Sequence, residues 1–131
     1  MIYMFDTDTA NFFMKDNPKS VRKKAAEHDK DEFCISAITY AELVFGLKRN
    51  YSKQLDFWLK EILAKLNVIA FDDASAVIYA DIRTMLEKSG QVPDNMDMHI
   101  ASSAISAGAV LVSHNIKHFS KIKRLKVEDW C

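Results

Sequence analysis

The chain starts with five apolar residues, Met1-Ile2-Tyr3-Met4-Phe5, and runs straight into Asp6-Thr7-Asp8. A short apolar run bounded by polar residues predicts a buried strand, here Ile2–Asp6. Runs of the same kind follow at Phe33–Ser36, Val68–Phe71 and Ala109–Val112, and Leu125–Val127 can add an edge strand. The stretches between them carry helical spacing. Thr9–Lys15 is a short helix that stops before Asn17-Pro18, because the residue before a proline avoids the helical region. Lys19–Asp29 offers one weak apolar face through Val21, Ala25 and Ala26, which suits a surface helix. Ser36 is placed to cap a helix from Ala37 to Arg49, on which Ile38, Ala41, Glu42 and Phe45 share a stripe. Gln54–Leu66 is strongly amphipathic through Leu55, Trp58, Leu59, Ile62, Leu63 and Leu66. Asp72-Asp73 caps a helix running to Ser89-Gly90, and the polar loop 91–95 leads into a small-residue helix, Met96–Ala107, ended by Gly108. His114–Phe119 reads as a turn or short helix. Strands alternating with helices predict an α/β fold: a short central parallel sheet of four to five strands with helices on both faces.

At 131 residues the chain is expected to form one domain, 1–131, with no repeat, low-complexity tract or linker. Its 18 basic residues balance 18 acidic ones. That balance excludes a protein that coats nucleic acid non-specifically, yet permits a basic patch beside an acidic pocket. Cys34 and Cys131 show no metal-type spacing along the chain, which points to a reducing cytoplasm. The apolar start is too short for a signal peptide and lacks a basic leader, and no apolar run is long enough to span a membrane.

Three carboxylates then change the picture. Asp6 ends the first strand, where open α/β sheets place their ligands, although strand-end acids also cap the next helix. Glu42 shares its stripe with apolar residues and is expected to face inward. Burying it alone costs several kcal/mol, so it needs a cation, and Lys48 or Arg49 could also serve. Asp97 lies in a first helical turn in register with Ile100, Ala101 and Ala104; alone it would only favour the helix dipole, and Asp94 is the simpler cap. A parallel sheet brings these ends together at its carboxyl edge. Carboxylates crowded there repel one another unless a cation binds, and hard oxygen donors suit Mg²⁺ or Mn²⁺. The chemistry this implies is metal-assisted attack of water on a phosphodiester. Lys117, Lys121, Lys123 and Arg124 form a basic set near that edge, so Lys117 and Lys121, with His114 after the last main strand, are candidates for contacts to the substrate's phosphates. Arg22-Lys23-Lys24 reads as a solvated face and His99 as a surface residue.

Met4-Phe5-Asp6-Thr7, Thr39-Tyr40-Ala41-Glu42-Leu43 and Asp97 with Ile100-Ala101 together resemble the PIN-domain ribonucleases. The tail, 110–115 through Phe119 and then Leu125–Trp130, resembles the VapC toxins within that group. The resemblance implies a PIN-like fold and Asp6, Glu42 and Asp97 as an acidic triad around Mg²⁺ or Mn²⁺. It implies Asn115 at a fourth polar position, and Thr7 and Ser113 as hydroxyls that bond the acids or their water. It further implies a homodimer, an RNA substrate and a co-encoded VapB-like antitoxin, with DNA reached only through that antitoxin. Asp8 departs from the pattern. It crowds Asp6 if the strand continues, or caps the Thr9–Lys15 helix if the chain turns.

Two rivals stand beside this reading. Asp6-Thr7-Asp8-Thr9, with Asp72-Asp73, is similar to the acidic motifs of haloacid-dehalogenase-like phosphatases, in which Asp6 would be a nucleophile; that leaves Glu42 and Asp97 without a task. A non-catalytic protein-binding module would use the Gln54–Leu66 helix and treat the acids as caps.

Overall fold

The computed structural model describes residues 1–131. In chain order the elements are β1 (Ile2–Phe5), α1 (Thr7–Lys15), α2 (Ser20–Ala26), β2 (Glu32–Ser36), α3 (Ala37–Arg49) and α4 (Lys53–Lys65), followed by β3 (Asn67–Ile69), α5 (Asp73–Ser89), α6 (Asn95–Ser106), β4 (Val110–Val112), α7 (Ile116–Phe119) and β5 (Val127–Glu128). The five strands form one sheet in the order β3-β2-β1-β4-β5, and every pairing is parallel. The central strand β1 is thus the first in sequence, and β2 and β4 flank it.

Alternation along the central strands divides the core in two. Tyr3, Phe5, Ile35, Val110 and Val112 point to one face and pack with Phe13, Val21, Leu43, Leu59 and Ile62 from α1 to α4. Met4, Cys34 and Leu111 point to the other and pack with Ile82, Leu86, Met98, Ile100 and Phe119 from α5 to α7. Strands buried on both faces read as continuous apolar runs, which is why these segments were legible as strands. Trp130 closes the first core: its ring lies 5.1 Å from Tyr3 and 5.6 Å from Phe5, and stacks on His28.

Several boundaries differ from the sequence expectation for local reasons. Helix α1 starts at Thr7 because Asp6 itself is the cap, its Oδ1 accepting from the Thr9 N–H at 2.9 Å. Asp8 neither extends the strand nor caps the helix; it sits exposed in the first turn. Arg22 is no solvated charge, since its guanidinium donates to the carbonyls of Phe13 and Met14 at the end of α1. On α3 the buried residues are Thr39 and Leu43, while Ala41 and Phe45 of the expected stripe face solvent. The helix-borne aromatics divide likewise: Phe13 is buried, whereas Phe45 and Phe57 are exposed. No helix is long and apolar enough to cross a membrane.

Candidate active site

The carboxyl ends of β1, β2 and β4 deliver the site. The Asp6 N–H still donates to the Val112 carbonyl at 3.1 Å, so the ladder holds the backbone of Asp6 in place as the chain turns into α1. Its side chain is only 4 % exposed. Beyond the Thr9 bond, the other oxygen accepts from the Ser113 hydroxyl at 2.6 Å, and Ser113 Oγ in turn accepts from the Asn115 N–H at 2.9 Å. Burial pushes the Asp6 carboxyl above its ordinary value, against the opposing pull of these bonds.

Glu42 enters from α3, whose cap Ser36 is fully buried and accepts from the Thr39 N–H at 3.0 Å. Neither Lys48 nor Arg49 pairs with Glu42. Its partner is the Thr7 hydroxyl, which donates to Oε1 at 2.7 Å and stands 3.2 Å from the hydroxyl of Thr39. Glu42 is therefore half-buried at a pocket wall rather than inside the core.

Asp97 lies in the first turn of α6, which Asp94 caps through the Met96 N–H at 2.8 Å. Burial raises its carboxyl too, and the negative charges of Asp94 and Asp6 add to that rise. His118 of α7 brings Nδ1 to 3.5 Å from Asp97 Oδ2, too long for a strong hydrogen bond but near enough for a charged imidazole to attract the acid. His118 escaped sequence reasoning because a four-residue helix has no periodicity to mark a face.

These side chains line one pocket of about 300 Å³. Asp6, Thr7, Asp8, Glu42, Asp94, Asp97, Asn115 and His118 supply its polar wall, and Met96 and Ile100 its apolar floor. No lysine or arginine reaches in. Five carboxylates with a single imidazole make an oxygen-rich donor set that suits a hard divalent cation. Ser113 supports the pocket from beneath. Lys117 is exposed on α7, one residue from His118. Lys121 lies outside the pocket, lining a separate groove against Ile82 and Met85 of α5. His114 also points elsewhere, its Nδ1 lying 3.0 Å from Asp129. His99 is half-buried, stacked on Tyr79 with ring centroids 4.2 Å apart, and is no free surface residue.

A parallel five-stranded sheet whose carboxyl edge gathers three strand- and helix-borne acids is the arrangement of PIN domains, and the PIN-domain family model matches residues 3–125. The chain belongs to the PIN-domain family. Its relatives within that family are VapC proteins. It is 35% identical over 132 residues to ribonuclease VapC2 of Rickettsia felis, covering 99% of this chain and 98% of that one. To the tRNA(fMet)-specific endonuclease VapC of Salmonella typhimurium it is 31% identical over 130 residues, covering 98% of each. Among solved structures, VapBC2 from Rickettsia felis bound to a promoter DNA fragment superposes with a TM-score of 0.93 at 34% identity, covering all of both chains.

Proposed function

We propose that this protein is a metal-dependent endoribonuclease, the toxin of a VapBC-type pair, and that Asp6, Glu42 and Asp97 hold Mg²⁺ or Mn²⁺. The observation that carries the reading is the acidic pocket at the carboxyl edge of the sheet, with five carboxylates and no lysine or arginine to neutralise them. When bound, the cation supplies a water of lowered pKa and offsets the charge of the scissile phosphate. The rest falls to the chain's own groups. Ser113 and the Thr9 N–H fix both oxygens of Asp6 where it lines the pocket, and each oxygen keeps a lone pair free for a cation. Thr7 holds the Glu42 carboxylate at the wall. The Asn115 amide offers a neutral donor where a further acid would repel phosphate. His118 lies beside Asp97 on the open side, positioned to meet a phosphate oxygen. Lys117 and Lys121 would contact the RNA backbone beyond the pocket, where each contact weakens with salt.

The substrate is RNA, and cleavage of a tRNA, as printed for the Salmonella relative, is the first case to try. The partner is a VapB-like antitoxin that reaches DNA on the pair's behalf. The compartment is the cytoplasm, where Cys34 stays a free, buried thiol. A phosphatase reading with Asp6 as nucleophile is disfavoured, because the Thr9 and Ser113 bonds already engage both its oxygens and Glu42 and Asp97 face the same pocket.

The test is cleavage of total tRNA with Mn²⁺ or Mg²⁺, with and without chelator. Wild type should cut only with metal, and Asp97→Asn should lose at least about 100-fold in rate while keeping its fold. Full activity of Asp97→Asn, or cleavage undiminished by chelator, would sink the assignment.

A further inference from the structure

Outside the acidic pocket, the fold assembles a second set of metal-binding atoms that the linear sequence hides. His114 follows Ser113 just beyond β4, Asp129 directly follows β5, and Cys131 lies two residues further on. These strands pair in parallel, and the Ser113 N–H donates to the Glu128 carbonyl at 2.9 Å, so their ends leave the sheet side by side. The result places one imidazole nitrogen, one carboxylate oxygen and one thiol sulfur within 4.8 Å of one another. His114 Nδ1 and Asp129 Oδ2 are 3.0 Å apart, and Asp129 uses its other oxygen to accept from the Cys131 N–H at 2.9 Å. Trp130, between the two tail ligands, is buried in the aromatic core and donates to Glu128, which fixes the backbone on which they sit. None of the three lines the acidic pocket.

We propose that His114, Asp129 and Cys131 form a second metal site, for a borderline-soft divalent ion such as Zn²⁺, distinct from the acidic Mg²⁺/Mn²⁺ pocket. Nitrogen, oxygen and sulfur donors are the zinc set, and a cysteine sulfur is a poor ligand for Mg²⁺. Tetrahedral zinc needs neighbouring donors about 3.5 Å apart, so the widest separation present contracts by at most about 1.3 Å while the His114–Asp129 pair opens by about 0.5 Å. On binding, the Cys131 thiol forms a sulfur–metal bond and releases its proton to solvent. The His114–Asp129 hydrogen bond gives way to coordination through Nδ1, and the proton that Nδ1 donated to Asp129 moves to Nε2 by exchange with solvent. All three residues are exposed, so water completes the shell. Because His114 lies between Ser113 and Asn115, occupancy ties the turn that carries both to the end of β5.

Co²⁺ reports the site directly, since a thiolate ligand gives a near-ultraviolet charge-transfer absorption that oxygen ligands do not. The titration uses the full chain, a phosphine reductant, and the wild type with its Asp97→Asn, Cys131→Ser and His114→Ala variants. Wild type and Asp97→Asn should both develop the band, with Zn²⁺ displacing it and Mg²⁺ leaving it intact. Cys131→Ser should lose it, and His114→Ala should bind roughly tenfold more weakly or worse. A wild type without the band, a band that survives Cys131→Ser, or one lost in Asp97→Asn would each overturn the proposal. The Asp97→Asn arm keeps this outcome separate from the fate of the ribonuclease reading.

Discussion

At the scale of single residues, the acidic site is held at a cost to the metal-free fold. Asp6 is buried, and burial raises its carboxyl above the unfolded value. A group raised in this way contributes stability that is full below its unfolded pKa and is lost as pH rises through the folded one. Asp97 has the same sign, through burial and the nearby acids. The chelated protein should therefore lose stability as pH rises above the ordinary carboxylate range of about 4, through these two groups. Asp6→Asn keeps an oxygen to accept from the Thr9 N–H and removes the charge. Its melting temperature in chelator should exceed the wild type's at neutral pH, with the gap closing as pH falls. Thermal unfolding of both proteins across that range checks it, and an Asp6→Asn variant less stable than wild type at pH 7 would contradict the account. Added Mn²⁺ should reverse the ranking, since a ligand at a hundredfold excess over Kd stabilises the binding form by about 2.7 kcal/mol.

At the scale of elements, the helix starts matter most, because each acid rides on one. Ser36 is fully buried and caps the helix that carries Glu42. Ser36→Ala should cost about 1 kcal/mol in chemical denaturation, toward 2 kcal/mol if the Thr39 N–H finds no other partner. Much of this level was legible in the sequence: Ser36, Asp72 and Asp94 cap as their residue types predict, and the apolar runs are strands. The orientation of α3 was not. Periodicity shows that Ile38, Ala41, Glu42 and Phe45 lie along one side, but not which side the sheet covers. The buried side is one residue round, at Thr39 and Leu43, because α3 packs on α1, where the Thr39 hydroxyl meets that of Thr7 and Leu43 joins the core of Phe13. Glu42 was thus placed in the site for a partly mistaken reason: it lines a wall held by a hydroxyl, not a core awaiting a cation. His118 and the His114–Asp129–Cys131 set stayed hidden for a related cause. Both depend on which elements become neighbours, α6 and α7 for His118 and the ends of β4 and β5 for the other three, and sequence separation conceals that.

At the scale of the whole molecule, the same rotation of α3 leaves an apolar face uncovered. Tyr40, Ala41, Val44 and Phe45 line an open groove there, and Phe45 is 61 % exposed. A two-fold axis would present this face twice, and burying one phenylalanine side chain is worth roughly 1.5–3 kcal/mol, so a symmetric pair gains about double that. The chain should therefore self-associate into a homodimer through α3. Phe45→Glu sets two carboxylates against each other across the axis while touching nothing in the core. Sedimentation of the Asp97→Asn protein, which can be made without toxicity if the pocket is catalytic, should show a dimer at micromolar concentration. The Phe45→Glu, Asp97→Asn double variant should sediment as a monomer at the same concentration, with its melting temperature in chelator little changed. A parent chain that stays monomeric throughout would assign the face to the antitoxin instead. A double variant that remains dimeric would move the axis to another surface.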